Sequence, residues 1–119
     1  MTELLLFVLM LTKHFVADFP LQNKYQYLNK GTYFHLGGVL HSGLHGLFTF
    51  VIFIFFTPFS IVYALVDFVM HYNIDWIKVN INKKLGYTPT DHEEFWWLLG
   101  ADQYLHQLTY AALIFAFAY

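Results

Sequence analysis

Four apolar stretches, each long enough to cross a bilayer as a helix, take up most of this sequence and limit what it can fold into. A spanning helix needs roughly 20 mainly apolar residues, with about 17 as the lower limit. The first stretch runs from about Thr2 to Phe19, where Pro20 stops it, because proline cannot continue a helix comfortably. The second runs from about His35 to Phe56, the third from about Phe59 to Val79, and the fourth from about Phe95 to Tyr119. Only a few residues around Pro58 separate the second from the third, so those two form an antiparallel hairpin. Before the fourth, "TDHE" (Thr90 to Glu93) has the form of a capping box, with Thr90 as N-cap and Glu93 reaching back to it. Trp96 and Trp97 follow as interface anchors. The expected fold class is all-α: one domain over residues 1–119, a four-helix transmembrane bundle with spans at about 2–19, 35–56, 59–79 and 95–119.

Composition bears on the solvent. Hydrophobic residues are 58% of the chain and charged residues 12%, against about 25% charged in soluble domains. A soluble chain of 119 residues could not cover that much apolar surface, so membrane lipid is the expected surrounding. A net charge of −2 offers no basic face to a nucleic acid. The absence of cysteine excludes disulfides, thiolate metal sites and a cysteine nucleophile. The start lacks the basic residues and cleavage site of a signal peptide, so the first stretch is expected to be a retained span. Lys24 and Lys30 lie in the first loop and Lys78, Lys83 and Lys84 at or in the third, while the second loop has none. By the positive-inside rule this is an inner (cytoplasmic) membrane protein with both termini outside and loops one and three cytoplasmic.

Every apolar stretch carries imidazoles or carboxylates four residues apart. The first has His14 and Asp18, the second His41 and His45, the third Asp67, His71 and Asp75, and the fourth Asp102 and His106. Spacing of four places both groups on one helix face, one turn apart. With a rise of about 1.5 Å per residue, four antiparallel helices would bring these pairs into the same, cytoplasmic half. Interhelical polar contacts in membranes are worth only about 0.6 kcal/mol on average, whereas a charged group in lipid costs roughly 2.5 kcal/mol or more. Nine titratable groups are more than such contacts need. A shared site is the expectation.

Metal would hold such a set together, since imidazole nitrogen and carboxylate oxygen are ligands of zinc, manganese and iron. The candidate ligands are His14, Asp18, His41, His45, His71, Asp75, Asp102 and His106. A divalent ion is expected, zinc first and manganese or iron next. Eight candidates exceed one ion's needs, so either two ions bind or some residues orient the true ligands. The only glutamates, Glu3, Glu93 and Glu94, cannot form the Glu-x-x-His di-iron pattern. Gln22, Lys78 and Gln103 sit beside the stripes as candidate substrate contacts. Tyr110, one turn past His106, reads as an ordinary aromatic of a spanning helix. Gly38, Ser42 and Gly46 form a small-residue stripe that lets a neighbouring helix come close.

"HFVADFPLQ", "HSGLHG", "HYNIDWIK" and "DQYLHQ", in that order, resemble a family of small uncharacterised integral membrane proteins of bacteria and phages. The resemblance covers essentially the whole chain. "HFVADFPLQ" also resembles the H-F-x-x-D-x-x-Q-P-L-H stretch of the zinc-dependent phospholipase C and S1/P1 nuclease group. That group is all-helical, and its His and Asp residues hold zinc ions that hydrolyse phosphodiesters. The resemblance implies that His14 and Asp18 are metal ligands and sets Gln22 at about the motif's glutamine. The motif's following histidine is missing here, and the N-terminal amine used by those enzymes would lie at the opposite face.

The expected function is a membrane-embedded, metal-dependent hydrolase of a phosphoester, either a phospholipid or a lipid-linked phosphate, at the cytoplasmic side. Asp18, Asp67, Asp75 and Asp102 are the candidate general bases, with no choice among them. The alternatives are metal-ion or proton transport, including through a homo-oligomer, and a structural or holin-like protein whose bundle metal holds together. "FTFVIFIFF" and "YAALIFAFAY" offer transport no polar path through the outer half.

Overall fold

The computed structural model describes residues 1–119 as five helices and no strands. Helix α1 is Thr2–Asp18, α2 is Lys24–Asn29, α3 is Leu36–Phe53, α4 is Ser60–Leu85 and α5 is Glu93–Ala118. The long helices form a closed ring in which α1 packs on α3, α3 on α4, α4 on α5 and α5 back on α1, while α2 packs on the start of α3. The all-helical expectation holds, with one helix more than expected.

The extra helix starts at Asn23, whose side chain accepts from the N–H of Gln26 at 3.0 Å. Such a cap satisfies one of the donors left open at a helix start. His35 caps α3 in the same way, its Nδ1 accepting from the N–H of Gly37 at 3.0 Å. Gly86, at φ 67°, ends α4 in the left-handed region, where a residue without Cβ carries no steric penalty. Helix α4 therefore continues six residues past the expected Val79. The capping box before α5 does not form. His92 is the N-cap, no side chain caps the helix, and the Thr90 hydroxyl donates to its neighbour Asp91.

Helices α3 and α4 come closest at Gly46, where an added Cβ would stand 3.1 Å from the Ala64 carbonyl oxygen and 3.2 Å from Phe68 Cβ. The small-residue stripe is thus a point of helix contact. At the end of the ring away from α2, Leu6, Met10, Phe53, Tyr110, Leu113 and Ile114 form an apolar core. The Phe53 and Tyr63 rings stack there at 4.4 Å.

Burial is inverted relative to a soluble domain. Fifteen buried residues are polar or charged against ten hydrophobic ones, whereas Leu4, Leu5, Val8, Phe15, Leu47, Val51, Leu65, Val69, Leu105 and Phe115 are exposed. By length and composition only α3 is able to cross a membrane, not all four long helices. Helix α1 has 17 residues, and α4 and α5 carry Asp and His on their inward faces.

Candidate metal centre

All eight candidate ligands are buried and lie together. The ring of helices explains this, since each i, i+4 pair occupies the inward face of its helix. At the middle, Nε2 of His41 and Nε2 of His71 are 3.2 Å apart. Asp18 Oδ1 lies 3.1 Å from the first and 3.7 Å from the second. Asp75 Oδ2 lies 3.2 Å and 3.4 Å from the same two atoms. Around these four, His45 Nε2 meets Asp18 Oδ1 at 2.9 Å and His14 Nε2 meets Asp18 Oδ2 at 3.0 Å. His106 Nε2 meets Asp75 Oδ1 at 3.2 Å and stands 3.5 Å from Asp102 Oδ1.

Hydrogen-bond partners sort these imidazoles into two roles. A histidine that binds metal through one nitrogen carries its hydrogen on the other, usually donated to an oxygen. His41 fits, because its Nδ1 faces the Gln26 side-chain oxygen at 3.4 Å and leaves Nε2 free. His14 does not. Its Nε2 faces two acceptors, Gln103 Oε1 at 2.9 Å and Asp18 Oδ2 at 3.0 Å, so it carries the hydrogen, and Nδ1 accepts from the Tyr110 hydroxyl at 2.6 Å. His45 is assigned likewise: the Lys13 ammonium, which only donates, sits 3.3 Å from its Nδ1, and Nε2–H is left for Asp18. His106 donates to Asp75. His71 has no partner at Nδ1 and is sandwiched between His45 at 3.5 Å and His106 at 4.0 Å, with Nε2 on the centre. His41, Asp18 and Asp75 therefore present lone pairs, His71 turns Nε2 to the same centre with its Nδ1 unpartnered, and the other histidines hold the two carboxylates.

These donors fit a metal ion. Zinc bonds of about 2.0–2.1 Å place tetrahedral ligands about 3.3 Å apart, close to the His41–His71 distance and to the distances from these two nitrogens to Asp18 and Asp75. The ligand atoms of Asp18, His41, His45 and His71 all lie within 4.8 Å of one another, as do those of His71, Asp75 and His106. Charge points the same way. Asp18, Asp67, Asp75 and Asp102 face only two ammonium groups, Lys13 and Lys30, in a buried space where unpaired charge is expensive. One divalent cation balances the difference, as would two protonated imidazoles.

Two of these partners, Lys13 and Lys30, were not among the expected site residues. Lys13 pairs with Asp67 and contacts the carbonyl oxygen of His45 at 3.3 Å, under the ring of Tyr110. Its signal was a lysine in the middle of an apolar stretch, beside His14. Lys30 reaches Asp75 Oδ2 at 3.2 Å and Gln22 at 3.0 Å. Burial lowers the Lys30 pKa, but Asp75, Asp18 and Asp102 outweigh it and hold the ammonium above its ordinary range. Gln22 also donates to the Asp18 carbonyl at 2.8 Å, and Gln103 bridges His14 and Asp102. Lys78 is half-buried on α4 and makes no hydrogen bond or ion pair with this group. Tyr110, read as an ordinary aromatic, is a partner of His14.

Fold and site define an all-helical ring closed around a buried His/Asp centre whose donors could hold a metal ion. Residues 6–119 match the family described as "Protein of unknown function (DUF3307)", and the chain belongs to it. No curated protein and no solved structure matches the chain.

Proposed function

We propose that this protein is a membrane-embedded, metal-dependent hydrolase of a phosphoester, acting at headgroup level on a phospholipid or lipid-linked phosphate at the cytoplasmic side. The observation that carries the reading is the convergence of Asp18 and Asp75 on Nε2 of His41 and His71, each contact between 3.1 and 3.7 Å. The inverted burial supports the membrane setting, and the likeness of "HFVADFPLQ" to the phospholipase C group supports phosphoester chemistry. A bound divalent ion, zinc first, supplies the charge that polarises a phosphoryl oxygen and acidifies water. His14 and His45 keep Asp18 in place, and His106 does the same for Asp75. Asp67 is occupied by Lys13 and Thr49. Buried oxygens of Asp67, Asp75 and Asp102 alike accept no hydrogen bond, so each of these carboxylates is a candidate general base.

Transport is the weaker reading. The polar chain runs from His45 through Lys13 and Asp67 to Thr49, whose hydroxyl otherwise meets only the Met10 sulfur at 3.8 Å. Beyond it Leu6, Phe53, Leu113 and Ile114 fill the ring.

Elemental mass spectrometry of the detergent-purified chain tests the metal. About one equivalent of zinc, manganese or iron is expected, lost in the double variant His41→Ala, His71→Ala. Hydrolysis of a chromogenic phosphodiester should disappear with it. A chain that neither carries nor takes up metal sinks the hydrolase reading.

A further inference from the structure

Two lysines border the centre, and their ammonium groups are used differently. Lys13 is fully engaged, with Asp67, the carbonyl oxygen of His45 and Nδ1 of His45 around it and the Tyr110 ring 4.6 Å away. Lys30 stands at the α2 end with its side chain 11% exposed. An ammonium has three donors, and Lys30 makes one hydrogen bond, to Gln22 Oε1 at 3.0 Å. Asp75 Oδ2, 3.2 Å away, takes a second donor as an ion pair. Lys30 therefore holds one unspent donor at the border of a metal-type donor set.

The short helix explains its placement. Gln22, Gln26 and Lys30 recur every four residues, and all three reach the centre. Gln22 donates to the Asp18 carbonyl at 2.8 Å, Gln26 faces His41 Nδ1 at 3.4 Å, and Lys30 faces Asp75. Asp75 Oδ2 is 3.2 Å from both Lys30 Nζ and His41 Nε2, so the ammonium and the ligand set share one carboxylate oxygen.

We propose that Lys30, held by Gln22 and Asp75, is the phosphoryl-recognition residue of this centre and donates its free N–H to a non-bridging oxygen of a phosphoester. The proposal rests on the metal reading above. Lysine suits this role as a compact point charge that binds phosphate without the fixed fork of arginine. Lys13 is excluded by its spent donors.

The test uses the full chain in detergent micelles, with zinc content measured first and inorganic phosphate then titrated by calorimetry. The zinc-loaded wild type binds phosphate. Lys30→Gln keeps its zinc but binds phosphate about tenfold or more weakly, the scale of a charged hydrogen bond, and Lys30→Arg restores most of the affinity. Equal phosphate binding by Lys30→Gln overturns the proposal, as does a zinc-loaded wild type that binds no phosphate; in both cases the metal reading survives. A wild type without zinc removes both. Should Lys30→Gln fail to fold, a wild type labelled with 15N at lysine Nζ replaces it: one of the two buried ammonium signals shifts with phosphate, and no shift refutes the idea. Displacement of bound phosphate by phosphatidate micelles but not by glycerol phosphate identifies a lipid as the source; the reverse identifies a soluble ester.

Discussion

Around Leu6, Phe53, Leu113 and Ile114 the helices meet through side chains that need no partner, while around His41, His71, Asp18 and Asp75 they meet through side chains that each need one. The same four helices build both halves, so the difference lies in which residues face inward. The apolar half tolerates small changes of shape, because packing loss grows gradually with the volume removed. The polar half has stricter stoichiometry: most of its imidazole nitrogens are matched to a partner side chain or to the centre, and removing one partner leaves a buried group unsatisfied. Adaptable packing suits a plug, and strict matching suits a site.

This contrast is most exposed at the junction of the halves, where Lys13 meets Asp67. Lys13→Met should lower stability in mixed micelles by about 3–5 kcal/mol, because it strands a buried carboxylate. The double variant Lys13→Met, Asp67→Leu should recover most of that loss. Additive losses in a double-mutant cycle would mean that the pair is not coupled.

In the apolar half, Leu6→Ala should cost about 2–5 kcal/mol with zinc stoichiometry unchanged, read by unfolding and elemental analysis on the same sample. Loss of metal alongside stability would show that the halves are not separate. In the polar half, His106→Ala should do the converse. Metal affinity should fall about 10–100-fold, as for an orienting partner, and competition with a chelator measures it. An unchanged affinity would remove His106 from the centre. Gly46→Ala should cost about 1–3 kcal/mol through overpacking against Ala64. The smallest effect is expected at Thr90→Ala, within about 0.5 kcal/mol, since that hydroxyl caps nothing; a loss near 1 kcal/mol in thermal unfolding would restore the capping box.

Much of the site was legible because helical periodicity is a local rule. His14 with Asp18, His41 with His45, His71 with Asp75 and Asp102 with His106 could be assigned to shared faces before any packing was known, and the ring buries all of them. Lys13 and Lys30 were harder, because a lysine stem reaches far and its end point depends on what surrounds it. Helix α2 was missed because six residues carry no measurable periodicity; Asn23 was its only local sign. The capping box misled because Thr90 and Glu93 have the right spacing, but the chain enters α5 through His92.

The sequence by itself determined the helices, the inward stripes and the chemistry of the donors, since each follows from neighbours within a few residues. Only the tertiary structure decided which donors turn a free nitrogen to the centre and which are taken up by other partners. That division depends on the second nitrogen of each imidazole: Gln26 accepts from His41, while Tyr110 and Lys13 occupy the same atom of His14 and His45. These partners come from other helices, 15 to 96 residues away along the chain, and only folding brings them within hydrogen-bond range.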